Sequence, residues 1–213
     1  MKKAAQKKAP ADTDLKHNIG EANPPGFRIN RRLEPGQYGL EEVFADIRTC
    51  TALRAVFADK EEIDSIVART KVLVVDRPKE MFVDNDDGSI TIGLMHLRRA
   101  PDVILYLDII HELCHVKQHL GGRNLYDRDK AYVDRETEIE AYRVTVREAR
   151  RIGMDDDAID CYLRVSWITP EEHRRLACAL EVKGSLPEGT LEGYCPHCHK
   201  HFKMKAPDKE TRS

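Results

Sequence analysis

The sequence has few aromatic residues and almost no net charge. Phe, Trp and Tyr make up 6% of the 213 residues, with a single tryptophan, and the formal net charge is −2. A charge balance so close to neutral gives no reason to expect nucleic acid as a partner. Internal repeats are absent, and no apolar stretch approaches the roughly 18 to 20 residues that cross a bilayer. The proportions of 41% hydrophobic and 34% charged residues are ordinary for a globular protein.

An export signal is also missing at the amino terminus. The first residues, MKKAAQKKAPADTD, are basic but contain no apolar segment, so they are typical of a disordered tail and not of a signal peptide. We therefore expect a cytoplasmic protein with no membrane partner, and we expect its six cysteines to be reduced. In a reducing compartment, the CxxC pair of Cys195 and Cys198 indicates metal or redox chemistry, not a disulfide.

Composition divides the chain into three parts. Residues 1–37 contain several proline and glycine breakers and are predicted to form a disordered or extended segment. Residues 38–184 carry the hydrophobic periodicity of a folded domain, whereas residues 185–213 are predicted to form a loop-like tail. The core and the main functional site are therefore expected in the middle part.

Hydrophobic periodicity assigns helices and strands within this domain. Helices are predicted over 40–57, 60–69, 101–120 and 127–152, and two more are predicted to start near Asp155 and Thr169. Strands are predicted over 71–75, 81–84 and 89–97, arranged as a small meander. The predicted fold class is α+β, with a small antiparallel or mixed sheet packed against the helix over 101–120 and several further helices.

The most informative stretch is DIIHELCHVKQ, in which His111, Glu112 and His115 form the pattern HExxH. On a helix, residues four apart lie on one face with their Cβ atoms about 5 to 6 Å apart. Two imidazoles at that distance can bind one zinc ion. Glu112 is rotated about a quarter turn from His111, so it can lie beside the metal and act as a general base.

Two interpretations of this pattern are open. A chance HExxH on a solvated helix face is one of them, because the pattern is short. The metal interpretation is favoured because the flanking residues make the helix apolar nearly all round, and such a helix is expected to be buried. Burying imidazole and carboxylate groups without partners costs roughly 2 to 7 kcal/mol for each group, and a bound metal would offset that cost.

A catalytic zinc usually takes three protein ligands, so a third must come from elsewhere in the chain. No histidine occurs between His119 and His173, and we therefore consider the segment DRETEIEAYRV at residues 134–144. Glu138 and Glu140 point about 200° apart on a helix and cannot both face the metal. On this reasoning either carboxylate can complete the site, and ion pairing with neighbouring arginines is the alternative role for each.

HExxH followed by a helix with an ExEA segment resembles the gluzincin arrangement of zinc peptidases. The small sheet that precedes it is similar to that of the ImmA/IrrE-like minimal gluzincins, and the resemblance covers about residues 70–150. It implies that His111, His115 and Glu138 are the zinc ligands, with Glu140 as the second choice for the third ligand.

The resemblance also implies a reaction. Glu112 would act as general base for a zinc-bound water that attacks a peptide bond. Related enzymes often have an acidic or amide residue after the alanine of the ExEA segment, where this chain has Tyr142. We expect the Tyr142 hydroxyl to support a ligand histidine or to stabilise the oxyanion. The other candidates for the oxyanion donor are Tyr132, Tyr126 and His96.

The carboxyl-terminal sequence YCPHCHKHF holds a second set of metal-binding residue types. Cys195 and Cys198 can hold one zinc and His201 can add a ligand, an arrangement that resembles the first knuckle of a zinc ribbon. A structural zinc is the favoured interpretation, and a disordered metal-scavenging tail is an alternative. A redox motif is less favoured, because no βαβ pattern surrounds the pair.

Two functions are compatible with these patterns. The first is a zinc metallopeptidase with one catalytic zinc and a protein or peptide substrate, which would bind as an added strand along 89–97 if that strand lies at a sheet edge. Core packing alone is the alternative role for the strand. The second function is a non-enzymatic, zinc-stabilised interaction or regulatory module. The sequence leaves the oligomeric state open.

Overall fold

The computed structural model describes residue 26, residues 28–77 and residues 80–183, together with the backbone of residues 190–194 and 201–205. Most of the predicted amino-terminal segment lies outside these residues. Within the described part, no helix is both long enough and apolar enough to cross a membrane. The same part combines a small sheet with several helices, which confirms the predicted α+β class.

Short strands alternate with helices in the first half of the domain. They are β1 (Arg28–Ile29), β2 (Gly36–Gly39), β3 (Phe44–Ala45), β4 (Lys71–Val75), β5 (Met81–Val83) and β6 (Ile90–Gly93). Four of them form a mixed sheet in the order β2-β4-β6-β5. β4 is antiparallel to β2 and parallel to β6, and β5 pairs antiparallel with β6 at the sheet edge.

The predicted meander is wrong, because β6 and not β5 lies beside β4. All four residues of β6 are buried, as expected of an interior strand that is covered on both faces. Residues 94–97, which were predicted to continue this strand, instead begin a helix. The first two residues of β2, Gly36 and Gln37, lie within the segment 1–37 that was predicted to be disordered or extended.

The helices of the described residues share the core with this sheet. They are α1 (Leu40–Val43), α2 (Leu53–Val56), α3 (Lys60–Arg69), α4 (Leu94–Arg99), α5 (Asp102–Leu120), α6 (Glu136–Arg151), α7 (Asp156–Tyr162) and α8 (Pro170–Ala179). The predictions for α3 and α5 are confirmed, as are the starts of α7 and α8. Asp155 and Thr169 cap those two helices, each accepting a backbone N–H from the first turn.

The predicted continuous helix over 40–57 is wrong. α1 and α2 are separated by β3, which pairs with β1, and by a 3-10 turn at Ile47–Thr49. Asp46 has a φ of 67°, a left-handed conformation that a continuous right-handed helix cannot contain. The apolar residues that suggested the helix are nevertheless buried. Their spacing therefore identified the residues that face the core, but not a continuous helix.

α6 begins at Glu136, later than the predicted start at Asp127. The Asp127 carboxylate accepts the backbone N–H of Asp129 and forms a local turn, and a 3-10 turn at Tyr132–Asp134 precedes the helix. Short polar side chains that bond to nearby backbone compete with helix formation in this way. The segment between α5 and α6 is therefore a loop.

α5 is the central element of the core. Every residue from Val103 to Val116 is buried, which confirms the prediction from its apolar sequence. The helix packs most extensively against α6 and also contacts β5 and α2. Gly122 follows the helix end with a φ of 73°, a conformation that glycine adopts without strain. The HExxH residues of α5 therefore lie inside the core, between α6 and the edge of the sheet.

Two further strands lie near the carboxyl terminus, where the sequence predicted a loop-like tail. β7 (Thr190–Tyr194) and β8 (His201–Lys205) pair antiparallel, with Tyr194 opposite His201. The predicted loop is therefore wrong for these residues. The segment between the two strands, which carries the CxxC pair, lies outside the described residues.

Candidate metal centre

Three side chains from two helices converge in the core. His111 and His115 lie one turn apart on α5, and Glu138 lies in the first turn of α6. The two Nε2 atoms are 3.0 Å apart, and Glu138 Oε2 is 3.3 Å from His111 Nε2 and 3.4 Å from His115 Nε2. All three residues are buried. The packing of α6 against α5 thus creates a compact group of possible metal ligands.

The separations between these atoms fit a tetrahedral zinc ion. Two ligand atoms that each lie about 2.0 to 2.1 Å from a tetrahedral zinc are about 3.3 Å from one another. Glu138 Oε2 is buried and has no hydrogen-bond partner among the described residues, which is costly for a carboxylate oxygen unless a cation is its partner. Among the described residues the group contains three ligands. These three ligands would leave one position of a tetrahedral zinc for a water or a substrate, as in catalytic zinc sites.

The phase of α6 decides which glutamate faces the histidines. Glu138 shares a face with Ala141 and Thr145, and all three side chains are buried. Glu140 points away from the group, and its carboxylate accepts a hydrogen bond from Arg123. The structure therefore places Glu138, the first choice for the third ligand, beside the histidines, and it places Glu140, the second choice, away from them.

Burial and mutual contact shift the pKa of each ligand in the metal-free centre. Burial alone would raise the pKa of Glu138, but the contacts with His111 and His115 outweigh it and lower the pKa. Burial would likewise lower the pKa of His115, but the nearby Glu138 carboxylate raises it. For His111 burial prevails and the pKa is lowered. The centre thus stabilises negative charge on Glu138, which suits it to a cation.

Glu112 lies beside the group without belonging to it. Its side chain is buried, and Oε2 has no hydrogen-bond partner in the part of the chain that the structure describes. Burial raises the pKa of Glu112 to about 8, against a smaller lowering effect from nearby His115 and from the backbone N–H of Val83. A carboxylate whose pKa lies near neutral is well matched to proton transfer at that pH.

Gln118, a residue not predicted from the sequence, holds the second histidine. His115 Nδ1 donates to Gln118 Oε1 at 2.7 Å, and Gln118 Nε2 donates to the backbone carbonyl of Thr137 at 3.0 Å. The signal in the sequence was the spacing, because residues three apart on a helix are neighbours on its surface. An amide there supplies the outer support that was expected from the position of Tyr142.

Tyr142 supports His111 through its ring. The two ring centroids are 4.4 Å apart, and the Tyr142 hydroxyl lies 2.9 Å from the hydroxyl of Tyr132. Burial raises the pKa of both hydroxyls well above the usual value, so both stay protonated and can donate. The hydroxyl of Tyr142 is therefore bonded to another tyrosine, whereas support of a ligand histidine was expected of it.

The other two candidates for the oxyanion donor are bonded elsewhere. His96 Nε2 lies 2.8 Å from a carboxylate oxygen of Asp108, and both side chains are buried. The Tyr126 hydroxyl donates to the backbone carbonyl of Val83 at 2.6 Å. Tyr126 is therefore bonded to the end of β5, whereas the ring of Tyr142 packs against the ligand His111.

The second predicted set of metal ligands is largely outside the structure. Cys195 and Cys198 lie beyond the described residues, and for His201 only the backbone of β8 is described. The structural zinc expected at these residues therefore stays a prediction.

Comparison with known proteins adds no further information about this centre. No family model, no curated protein and no solved structure matches the chain. The likeness to minimal gluzincins stays a prediction, and a functional assignment has to come from the geometry of the residues themselves.

Proposed function

We propose that the chain is a zinc-dependent metallopeptidase that hydrolyses a peptide bond in a protein substrate. The observation that carries the proposal is the set of separations among the ligand atoms of His111, His115 and Glu138, which are 3.0, 3.3 and 3.4 Å. A separate buried carboxylate, Glu112, lies next to this group. Two imidazoles and one carboxylate are a ligand set that catalytic zinc uses, and a second carboxylate beside them can act as the general base.

The chain's own residues divide the chemistry between them. When bound, zinc polarises a carbonyl oxygen and lowers the pKa of a water molecule to about 7. Glu112 then takes a proton from the attacking water and passes it to the leaving amine. Its pKa of about 8 in the metal-free site results from burial, and the charge of a nearby cation lowers that pKa and favours the basic form.

β5 is the sheet edge that is available to a peptide beside the centre. Asp84 N donates to Ser89 O, so the even-numbered residues of this segment bond to β6. The backbone groups of Met81 and Val83 therefore point outward. An extended peptide that displaces the Tyr126 hydroxyl from Val83 O can pair with them as an additional strand. The prediction that 89–97 has this role is wrong, because β6 lies inside the sheet.

The alternative function, a zinc site that only holds structure, is less well supported. Structural zinc sites are usually closed by four protein ligands, whereas the group in the described residues contains three. Chelation separates the two functions, because removal of a structural zinc unfolds its domain. For a peptidase we expect chelators to abolish activity while the helical circular dichroism of the chain is largely retained.

Replacement of Glu112 by Gln tests the proposal. The amide cannot accept the proton from water, so we expect hydrolysis to fall by roughly 10² to 10⁴-fold while zinc content is unchanged. Zinc-loaded wild type and variant would be incubated with a complex mixture of peptides, and new termini would be counted by mass spectrometry. Glu136→Gln is the matched control, because Glu136 is an exposed residue of α6 paired with Lys130.

Two results would count against the proposal. The first is equal cleavage by wild type and Glu112→Gln, which would remove Glu112 from the mechanism. The second is a wild-type chain that holds zinc at His111 and His115 but generates no new peptide termini.

A further inference from the structure

Gln118 connects His115 to two charged residues outside the core. Its Nε2 donates to Glu140 Oε2 at 3.0 Å, in addition to the carbonyl of Thr137. Arg123, in the loop after α5, forms an ion pair with the same Glu140 oxygen. We call Gln118, Glu140 and Arg123 the relay. It runs from a buried metal ligand to the surface, where the side chains of Glu140 and Arg123 are exposed.

The surroundings of Gln118 determine which way its amide faces. The Thr137 carbonyl and the Glu140 carboxylate can only accept hydrogen bonds, so the amide nitrogen must face them. The amide oxygen then faces His115 and can only accept, so Nδ1 of His115 must carry a hydrogen. In the neutral ring this leaves a lone pair on Nε2, the atom that faces His111 and Glu138.

The two ligand histidines differ in this respect. His111 Nδ1 is buried and has no hydrogen-bond partner among the described residues, and the ring of Tyr142 packs against it instead. His115 is thus the ligand whose tautomer and ring orientation are set by a hydrogen bond. Of the two histidines, His115 is therefore the one through which a surface charge can act on the metal by way of hydrogen bonds.

We propose that Gln118 is a positioning residue that fixes the metal-binding tautomer of His115, and that Glu140 and Arg123 tune metal affinity through it. This inference rests on the metal site of the proposed function but not on peptide hydrolysis. The inference also gives Glu140 a role: Glu140 supports the ligand His115 through Gln118 and does not bind the metal itself. Outer partners of this kind typically change metal affinity by about 10 to 100-fold when they are lost.

The relay makes an unusual prediction for Gln118→Glu. A carboxylate beside a ligand histidine normally makes the imidazole a stronger ligand. Here a carboxylate at position 118 would face two acceptors, the Thr137 carbonyl and the Glu140 carboxylate, without a hydrogen to donate. We therefore expect Gln118→Glu to weaken zinc binding by about 10-fold or more. Adding Glu140→Gln supplies a donor to the new carboxylate and should recover part of the loss.

Zinc affinity, measured by competition with a fluorescent chelator on the full chain, tests the relay. Gln118→Glu should bind zinc about 10-fold or more weakly, and the double variant with Glu140→Gln should bind more tightly than the single one by about 3-fold or more. Glu140→Ala leaves the core intact and should weaken binding by about 2 to 10-fold. Glu136→Gln, an exposed change on the same helix, should have no effect. Nitrogen NMR of zinc-loaded protein should show the hydrogen of His115 on Nδ1.

The outcomes separate the two proposals. Unchanged zinc affinity in Gln118→Glu and Glu140→Ala overturns the relay, as does a double variant that recovers nothing. The predicted affinity pattern in a chain that cleaves no peptide supports the relay and counts against the peptidase. A wild-type chain that binds no zinc overturns both. Denaturant unfolding of the metal-free variants shows whether an affinity change is only a loss of fold.

Discussion

Glu138 Oε2 lies 3.4 Å from His115 Nε2, whereas Glu140 on the same helix contacts Gln118 and Arg123 instead. This difference predicts unequal effects of the same substitution at the two positions. Glu138→Gln removes a ligand and should weaken zinc binding by at least about 100-fold, more than the loss of an outer partner. Glu140→Gln keeps an acceptor for Gln118 and should change binding by less than about 10-fold.

Isothermal titration with zinc chelator buffers measures both affinities on otherwise identical chains. Equal losses at the two positions would mean that the carboxylate of Glu138 is not a ligand. A larger loss at Glu140 would reverse the assignment of the third ligand.

Because the Glu112 carboxylate is buried, we expect the metal-free protein to become more stable when this group is replaced by a neutral amide. Its pKa is raised from an ordinary value of 4.5 to about 8. Folding therefore favours the protonated form of Glu112. The stability that this protonated form contributes is fully present below about pH 4.5, and it is lost as the pH rises through 8. Glu112→Gln should therefore be more stable than wild type by roughly 2 to 4 kcal/mol at pH 9, and by much less at pH 5.

Urea unfolding in the presence of a chelator, at several pH values, measures this difference. Glu136→Gln serves as the control, because that carboxylate is exposed. A stability difference between Glu112→Gln and wild type that does not grow with pH would contradict the burial of an uncompensated carboxylate at this position.

Tyr126 occupies a backbone acceptor that a substrate strand would use. Its hydroxyl donates to Val83 O, which faces outward from the edge of β5. Tyr126→Phe frees this carbonyl, and we expect the catalytic efficiency of peptide hydrolysis to rise by about 2 to 10-fold, the range for one hydrogen bond. Tyr38→Phe is a matched control, because the Tyr38 hydroxyl also donates to a backbone carbonyl, that of Glu34.

Steady-state kinetics of both variants would be compared with wild type. If Tyr126→Phe instead slowed turnover at saturating substrate by about 10-fold or more, the loss expected for an oxyanion donor, Tyr126 would be assigned to the oxyanion. The candidates Tyr132 and Tyr142 would then no longer be needed as the oxyanion donor.

The CxxC pair predicts a second zinc that is independent of the first. β7 and β8 pair with Tyr194 opposite His201, so the backbone brings the two ends of the CxxC segment together. We expect about two zinc ions per wild-type chain and about one after Cys195→Ser with Cys198→Ser, with peptide hydrolysis retained. Mass spectrometry of metal content gives the stoichiometry. One zinc in both chains would leave the tail without a metal.

The burial of the central helix could be predicted from its own residues, whereas its partner carboxylate could not. The apolar residues around HExxH required burial, and burial of α5 is what the structure shows. In the structure, the position of Glu138 follows from helical phase, because Ala141 and Thr145 on the same face are small enough or apolar enough to pack against α5. Periodicity was sufficient for the helix, but it left both Glu138 and Glu140 open as the third ligand, and only the resemblance to the gluzincins favoured Glu138.

Features that depend on distant pairing could not be predicted in this way. The left-handed Asp46 breaks a stretch whose apolar spacing suits a helix, and the strand order places β6 between β4 and β5. Gln118 lies three residues after His115, but that spacing becomes informative only when Thr137 and Glu140 lie next to the amide. Contacts between distant elements determine the strand order, the break at Asp46 and the role of Gln118, and these contacts cannot be read from the periodicity of a single sequence.

The central claim concerns the metal and its surroundings, and zinc X-ray absorption of the Cys195→Ser, Cys198→Ser chain tests it most directly. We expect four nitrogen and oxygen ligands at about 2.0 to 2.1 Å, with the scattering pattern of two imidazoles. Glu138→Gln should change that spectrum and Glu140→Gln should not. A Cys195→Ser, Cys198→Ser chain that retains no zinc, or a spectrum of that chain that Glu138→Gln leaves unchanged, would contradict the proposed centre.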